Sequence, residues 1–413
     1  MPRLALAAVV LLGSVAAAQP VTYFVPIAGR TSPALSGTGA VDVALWYSDP
    51  GTDAGSSLLF ATSNDNPVPF VLATFSGTTV TGFPLTAAGV ATTPDVLVQG
   101  TRRSLVAVAI SGAVSLGVIE NGQFVARSTN QPINGGPPLA LAPAPGGGAI
   151  LLVSDSTATQ LTRYDLDLSG ATVTVAQGLT AALLTEPMRS MVLDGARDKV
   201  LVGGNTLGNL YILNAGLDAG PVIFDVQQLS AGRLIPPVTG VAVYQGSAAA
   251  YLLVTSAAGL TIYDLLQANP LPGAFRVIAQ DQLGPLTGPT GVAVTNLAAG
   301  STFPEGVIAL GDATNRGLAL VRWDAIPPDA GLIIDPTTDP RGLPTDGGPD
   351  AGCDGGGCGP SGGPPKPGDV PPGPDVPVPD SSSSCASAPG GVGALAMLVG
   401  LLAVLGLRRG QRR

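Results

Sequence analysis

Six times along the chain a short apolar run breaks at a small or polar residue, and a second apolar strand follows. The runs begin at Leu58, Leu105, Ile150, Val200, Tyr251 and Val307. Their spacing, roughly 45–56 residues, is the length of one four-stranded propeller blade. Within one period, Ser190–Asp194, Lys199–Val202 and Leu210–Leu213 read as three antiparallel strands separated by short turns. The segment TGVAV occurs at Thr239–Val243 and again at Thr290–Val294, each time ahead of a strand pair. The period predicts an all-β chain with a monomeric six-bladed β-propeller over residues 21–326. A β-sandwich pair and a β-helix are the alternatives.

Composition supports strands over helices. Charged residues make up only 11% of the chain, and 57 Gly and 39 Pro supply turns. Blades this apolar bury both faces against their neighbours. The formal charge of −9, with no basic face, argues against nucleic acid as a partner. The chain contains no histidine, which rules out a Ser-His-Asp triad, a Cys-His pair and imidazole metal ligands. Chemistry must come from carboxylates, hydroxyls, Lys, Arg or the backbone.

Both ends carry targeting patterns. Arg3, the apolar run Leu4 to Leu12 and Ala16-Ala17-Ala18 before Gln19 read as a secretory signal over residues 1–18. Residues 327–384, rich in Pro, Gly and Asp, are expected to form an extended, disordered stalk. Within it, Cys353 and Cys358 are placed to close a small disulfide loop in an oxidising compartment, a two-Cys metal site being the alternative. Ala388 to Leu407 is an uncharged stretch of about 20 residues, enough to span a bilayer as a helix. Arg408, Arg409, Arg412 and Arg413 follow as a cytoplasmic stop signal. The order of Ser-rich linker, Cys385, apolar segment and Arg cluster over 385–413 resembles the myxobacterial C-terminal sorting segment (MYXO-CTERM type). That resemblance implies processing near Cys385 and display at the cell surface; a plain single-span anchor is the alternative. Either way the chain is expected to be exported and tethered to the membrane by its C-terminus.

The last period, Phe303 to Ile326 (FPEGVIALGDATNRGLALVRWDAI), resembles the closing segment of the β-propeller phytases. Asp42 to Trp46 with Asp49-Pro50 resembles the opening of that family, and Pro94-Asp95-Val96 one of its later strands. Thr239-Gly240-Val241 and Thr290-Gly291-Val292 fall where the family has further acidic segments. The resemblance spans roughly the whole of 21–326. It implies calcium-dependent hydrolysis of inositol phosphates, in which clustered carboxylates hold Ca²⁺ ions that neutralise phosphate and ready a water. Carried over residue by residue, it makes Asp42, Asp95 and Asp312 candidate Ca²⁺ ligands. Arg189, Asn315 and Arg322 become candidates for binding a phosphorylated substrate.

This chain departs from the family at most of its acidic positions. Arg189-Ser190, Gly203-Gly204-Asn205, Pro237, Thr239 and Thr290 stand where acids are expected, and Ala319 replaces a phosphate-binding Lys. Turn chemistry is the alternative role for the three aspartates. Two functions follow: a phytase-like phosphomonoesterase with weak or lost activity, or a noncatalytic propeller that binds a surface protein or ligand.

Overall fold

The computed structural model describes residues 21–31, 41–49, 54–63, 68–69, 71–74, 86–145, 147–155, 157–182, 186–218, 220, 222–224, 237–266, 275–282, 284–299, 301–314, 317–335 and 338–340. The signal-like segment, Asn315, Cys353, Cys358, Cys385 and the apolar stretch 388–407 lie outside them. The described chain is all-β, with three short 3₁₀ turns and no α-helix among the described residues. None of those residues forms a helix long and apolar enough to cross a membrane. The strands form a nearly closed, barrel-like arrangement.

Six antiparallel meanders build it. The first contains Val41–Trp46, Leu58–Ser63 and Val71–Thr74. The second contains Gly89–Val98, Thr101–Ile110, Ala113–Glu120 and Gln123–Arg127. The third runs Gly136–Pro143, Ala149–Ser154, Gln160–Asp167 and Thr174–Ala182. The fourth runs Met188–Asp194, Lys199–Gly204, Leu210–Asn214 and Val222–Phe224. Val238–Gln245, Ala250–Ser256, Gly259–Asp264 and Phe275–Asp281 form the fifth. Val292–Thr295, Val307–Asp312 and Gly317–Arg322 form the sixth. Each of the six apolar runs in the sequence thus contains the second strand of a meander, followed by a later strand of the same meander.

Those runs are apolar without a break because alternate residues serve different interfaces. In Ala250–Ser256, Tyr251 and Leu253 pack towards the sixth meander, while Leu252 and Val254 pack towards the fourth. In Ala149–Ser154, Leu151 and Val153 meet the second meander, and Ile150 and Leu152 meet the fourth. Six hydrophobic clusters result, one at each junction between successive meanders, including that of the sixth with the first. The last junction joins Val43, Leu45 and Leu59 to Ala293, Val307 and Leu320. Trp46 and Trp323 are core anchors: Trp46 packs between the first and second meanders, and Trp323 donates its indole N–H to the Thr295 carbonyl at 3.1 Å.

The chain joins its two ends through Thr22–Thr31. Thr22 to Pro26 pair parallel with Arg276 to Gln280, and Ile27 to Thr31 pair antiparallel with Val321 to Leu318. One strand therefore merges the fifth and sixth meanders into a single nine-stranded sheet. Arg30 locks this seam. Its Nε lies 2.5 Å from Asp281, and its Nη1 pairs with Asp312, whose side chain is 2% exposed.

The packed body continues past Ile326, into the stretch expected to be an extended stalk from Pro327 on. Ala330 is fully buried, and Leu332 and Ile334 pack on the cluster between the fifth and sixth meanders. The Tyr251 hydroxyl accepts the Ile333 N–H at 2.7 Å, and Tyr244 accepts that of Asp335 at 2.7 Å. Asn296 donates to the carbonyls of Asp335 and Thr338 at 2.7 and 2.6 Å. Pro and Gly content alone does not distinguish such a strap from a free linker; apolar residues at 330, 332 and 334 make the difference.

Replacing Arg30 with Ala leaves the Asp312 carboxylate buried without its cation. We expect a loss of about 2–4 kcal/mol in unfolding free energy, read by urea denaturation. An unchanged midpoint would show that the seam holds without this pair.

Candidate functional site

The first strand of every meander pairs on one side only, with the second strand of the same meander. Its other edge faces inward. Together these six strands line one cavity of about 660 Å³. All six run in the same direction along it. Starts meet starts: a Cβ on Gly89 would lie 2.7 Å from Pro137, and Thr239 donates to the Pro289 carbonyl at 2.5 Å. Ends meet ends: Tyr47 bonds Thr295, and Arg197 reaches Gln245 at 3.1 Å. The cavity thus has an entry end, where the strands begin, and an exit end, where they finish.

Close approach of these strands explains the glycine of the TGVAV repeat. A Cβ on Gly240 would lie 2.7 Å from the Val292 amide nitrogen and 2.8 Å from the Gly291 carbonyl carbon. Only a residue without a side chain lets the two copies of the repeat sit side by side. The Val-Ala-Val steps that follow supply small apolar flanks, so the middle of the cavity is walled by Ala44, Ala91, Ala140, Ala242 and Ala293 with their Val and Leu neighbours.

The candidate residues named from the sequence separate between the two ends. Asp42 lies at the entry end, second in its strand, and lines the cavity. Arg189 lies at the same end on the fourth meander, beside cavity-lining Ser190, whose hydroxyl accepts the Val241 N–H at 2.9 Å. Asp312 is also at the entry end, but it is bound to Arg30 at the seam.

Two other candidates do not join them. The backbone of Asp95 lies within a bulge between Thr93 and Val96, late in its strand and so towards the exit end. Arg322 pairs with Val307, whereas Asp312 pairs with Gly317, which puts Arg322 at the opposite end of its strand. There it forms an ion pair with Asp324 on the surface.

Ca²⁺ takes six to eight oxygen ligands. Among the described residues no three His, Cys, Asp or Glu side chains come together as a metal site. Asp312 is committed to a guanidinium, and Arg189 adds positive charge at the same end as Asp42. The described residues do not assemble the donor set that the phytase resemblance implies, and no step is derived through the ion.

Burial pushes the Asp42 carboxyl up to about 6, outweighing the Val43 N–H that it accepts at 3.0 Å and the opposing pull of the Arg189 charge. The wall of the cavity excludes most of the water that would stabilise the anion.

One acid escaped the sequence reading. Glu186, 3% exposed, precedes the first strand of the fourth meander. It accepts from the Thr206 and Leu207 amides at 2.7 and 2.6 Å, from Asn209 at 3.2 Å and from the Tyr211 hydroxyl at 2.7 Å. The carboxylate organises the 205–209 turn, and its four donors leave it no role in holding a ligand. Its only signal in the sequence is its rarity in an apolar stretch. We expect Glu186→Ala, which strands these donors, to cost about 2–4 kcal/mol by urea denaturation. A near-neutral effect would mean that water replaces the carboxylate.

Comparison of the chain with protein-family models and with curated proteins finds no match to either.

Because the folded-state pKa of Asp42 lies above its unfolded value, the folded chain favours the protonated form. The associated stability is fully present below about pH 4 and lost as the pH rises through 6. Asp42→Asn removes that dependence. At pH 7.5 the variant is expected to be more stable than the parent by on the order of 1–3 kcal/mol, with the difference vanishing near pH 4. Parallel urea titrations at the two pH values test this, and equal differences at both would refute it.

Proposed function

We propose that the protein is an exported, surface-tethered six-bladed β-propeller that binds a ligand in its central cavity without catalysing its conversion. The observation that carries this reading is the cavity itself: six strands from six meanders converge on it, and its wall is mainly apolar. Each meander then corresponds to a blade, and Thr22–Thr31 supplies the outer strand of the last blade, closing the ring. Closure of this kind leaves few exposed strand edges for unwanted pairing.

Three observations favour binding over phosphate hydrolysis. Asp42 and Asp95 sit towards opposite ends, Asp312 is engaged by Arg30, and the positions around Thr239 and Thr290 carry hydroxyls in place of acids. Hydrolysis assisted by Ca²⁺ depends on several carboxylates acting on one cluster. The tethering part of the reading rests on the signal-like N-terminus, on the apolar stretch Ala388 to Leu407 and on the Arg cluster behind it.

Inositol hexakisphosphate hydrolysis, measured with and without Ca²⁺ beside an Asp312→Ala variant, tests the reading. We expect no turnover and no calcium-induced rise in melting temperature. Calcium-dependent turnover abolished by the substitution would overturn it in favour of a phytase-like phosphomonoesterase.

A further inference from the structure

The cavity is walled by the six innermost strands and by the turns that directly follow them, with one exception among its described lining residues. That exception is Pro340. It comes from the strap that runs on past Ile326, and it joins the wall at the exit end, where Tyr244 and Asn296 also line it. At the entry end the lining residues, Asp42, Val90, Pro138, Ser190, Val241 and Val292, all belong to innermost strands. The strap therefore contributes to one end of the cavity and not to the other.

The strap is attached in two different ways. Ala330, Leu332 and Ile334 hold its first part by apolar packing on the cluster between the fifth and sixth meanders. Beyond Ile334 the described residues are Asp335, Thr338, Asp339 and Pro340, all partly exposed. Hydrogen bonds hold this second part. The Asp335 carboxylate accepts the Ser247 N–H at 3.0 Å and the Thr338 hydroxyl at 2.8 Å, and it accepts the Ser247 hydroxyl as well. From the cavity wall, the Tyr244 hydroxyl accepts the Asp335 N–H, and Asn296 donates to the carbonyls of Asp335 and Thr338. Hydrogen bonds at a partly exposed surface exchange for bonds to water at small net cost, whereas apolar groups leave a core at a larger one. The second part can thus release while the first stays docked.

We propose that the strap beyond Ile334 is a lid on the exit end of the cavity, hinged on its docked part, and that it controls access to the exit-end half of the shaft. Release frees the Asn296 amide, whose side chain is otherwise almost fully buried, and the Tyr244 hydroxyl. An open lid therefore adds polar groups to a mainly apolar wall. The lid also leads directly into residues 341–413, so a pull on that part of the chain reaches the lid before it reaches Ala330 and Leu332. The proposal concerns access, and it stands whether or not the cavity binds a ligand.

Labelling of single cysteines with N-ethylmaleimide tests it, on the full-length protein in lipid nanodiscs with Cys353, Cys358 and Cys385 changed to Ser. Val294→Cys reports on the cavity wall near the exit end. Ala309→Cys is the control: it lies fully buried in the second strand of the same meander and does not line the cavity. Asp335→Ala removes three bonds of the lid and no group of the cavity wall. It is expected to speed labelling at position 294 by about fivefold or more and to leave position 309 unchanged. Circular dichroism verifies that the variants are folded. A rise at position 294 that is matched at position 309 would mean that the substitution only loosens the fold, and would overturn the lid. An unchanged rate at position 294 would overturn it as well.

Discussion

Each sheet in this protein has two apolar faces, and neither face is stable against water unless another sheet covers it. An ordinary sandwich covers one face per sheet. Here every strand distributes its side chains by parity between two neighbours, as Tyr251 and Leu252 do to either side of the fifth meander. A linear stack would leave an apolar face bare at each end. The arrangement therefore has to come back on itself, and the contact of Val43 and Leu45 with Ala293 and Leu320 is where it does. Burial of each such aliphatic side chain is worth about 1.5–3 kcal/mol, so the last interface contributes to stability alongside the other five.

Hydrophobic burial is non-directional, however, and does not say which strand should lie beside which. The seam between the two ends of the chain uses directional bonds for that purpose. Thr22–Thr31 changes partners halfway along, from the fifth meander to the sixth, and Arg30 bonds to an aspartate of each. Two of the few acids of the chain, Asp281 and Asp312, are thereby engaged in closure. Of these, Asp312 is the one that the resemblance to phytases offers as a metal ligand. In this fold the two roles compete for one carboxylate.

The cavity is a by-product of the same geometry. Six innermost strands, each with one free edge, meet around a space that their small residues leave open. Gly240 and the alanines of the wall allow the strands to approach one another closely; the charges sit only at the rims. That division, apolar in the shaft and polar at the ends, favours recognition by shape and a few end groups. Asp42 shows the cost of placing a carboxylate in such surroundings, since burial pushes its carboxyl up to about 6.

The order of the strands was legible in the sequence because parity and turn residues act locally: Lys199–Val202 and Leu210–Leu213 lie inside strands whose bounds the structure extends by no more than two residues. The repeat also announced that both faces of every sheet would be buried. Motif order placed Asp42, Asp95, Asp312 and Arg322 in a common register, yet it carried no information about which end of a strand each residue occupies. Nor could local pattern reveal that Arg30, 251 residues from Asp281 and 282 from Asp312, would reach both, or that Leu332 and Ile334 would bind a Pro-rich segment to the core. The sequence by itself determined strands, their period and their two-sided burial, since those depend on neighbours along the chain. Which carboxylates remain available, and which of them line the cavity, was decided only by tertiary structure. Electrostatics depends on distance in space, and that distance is set when the ring closes.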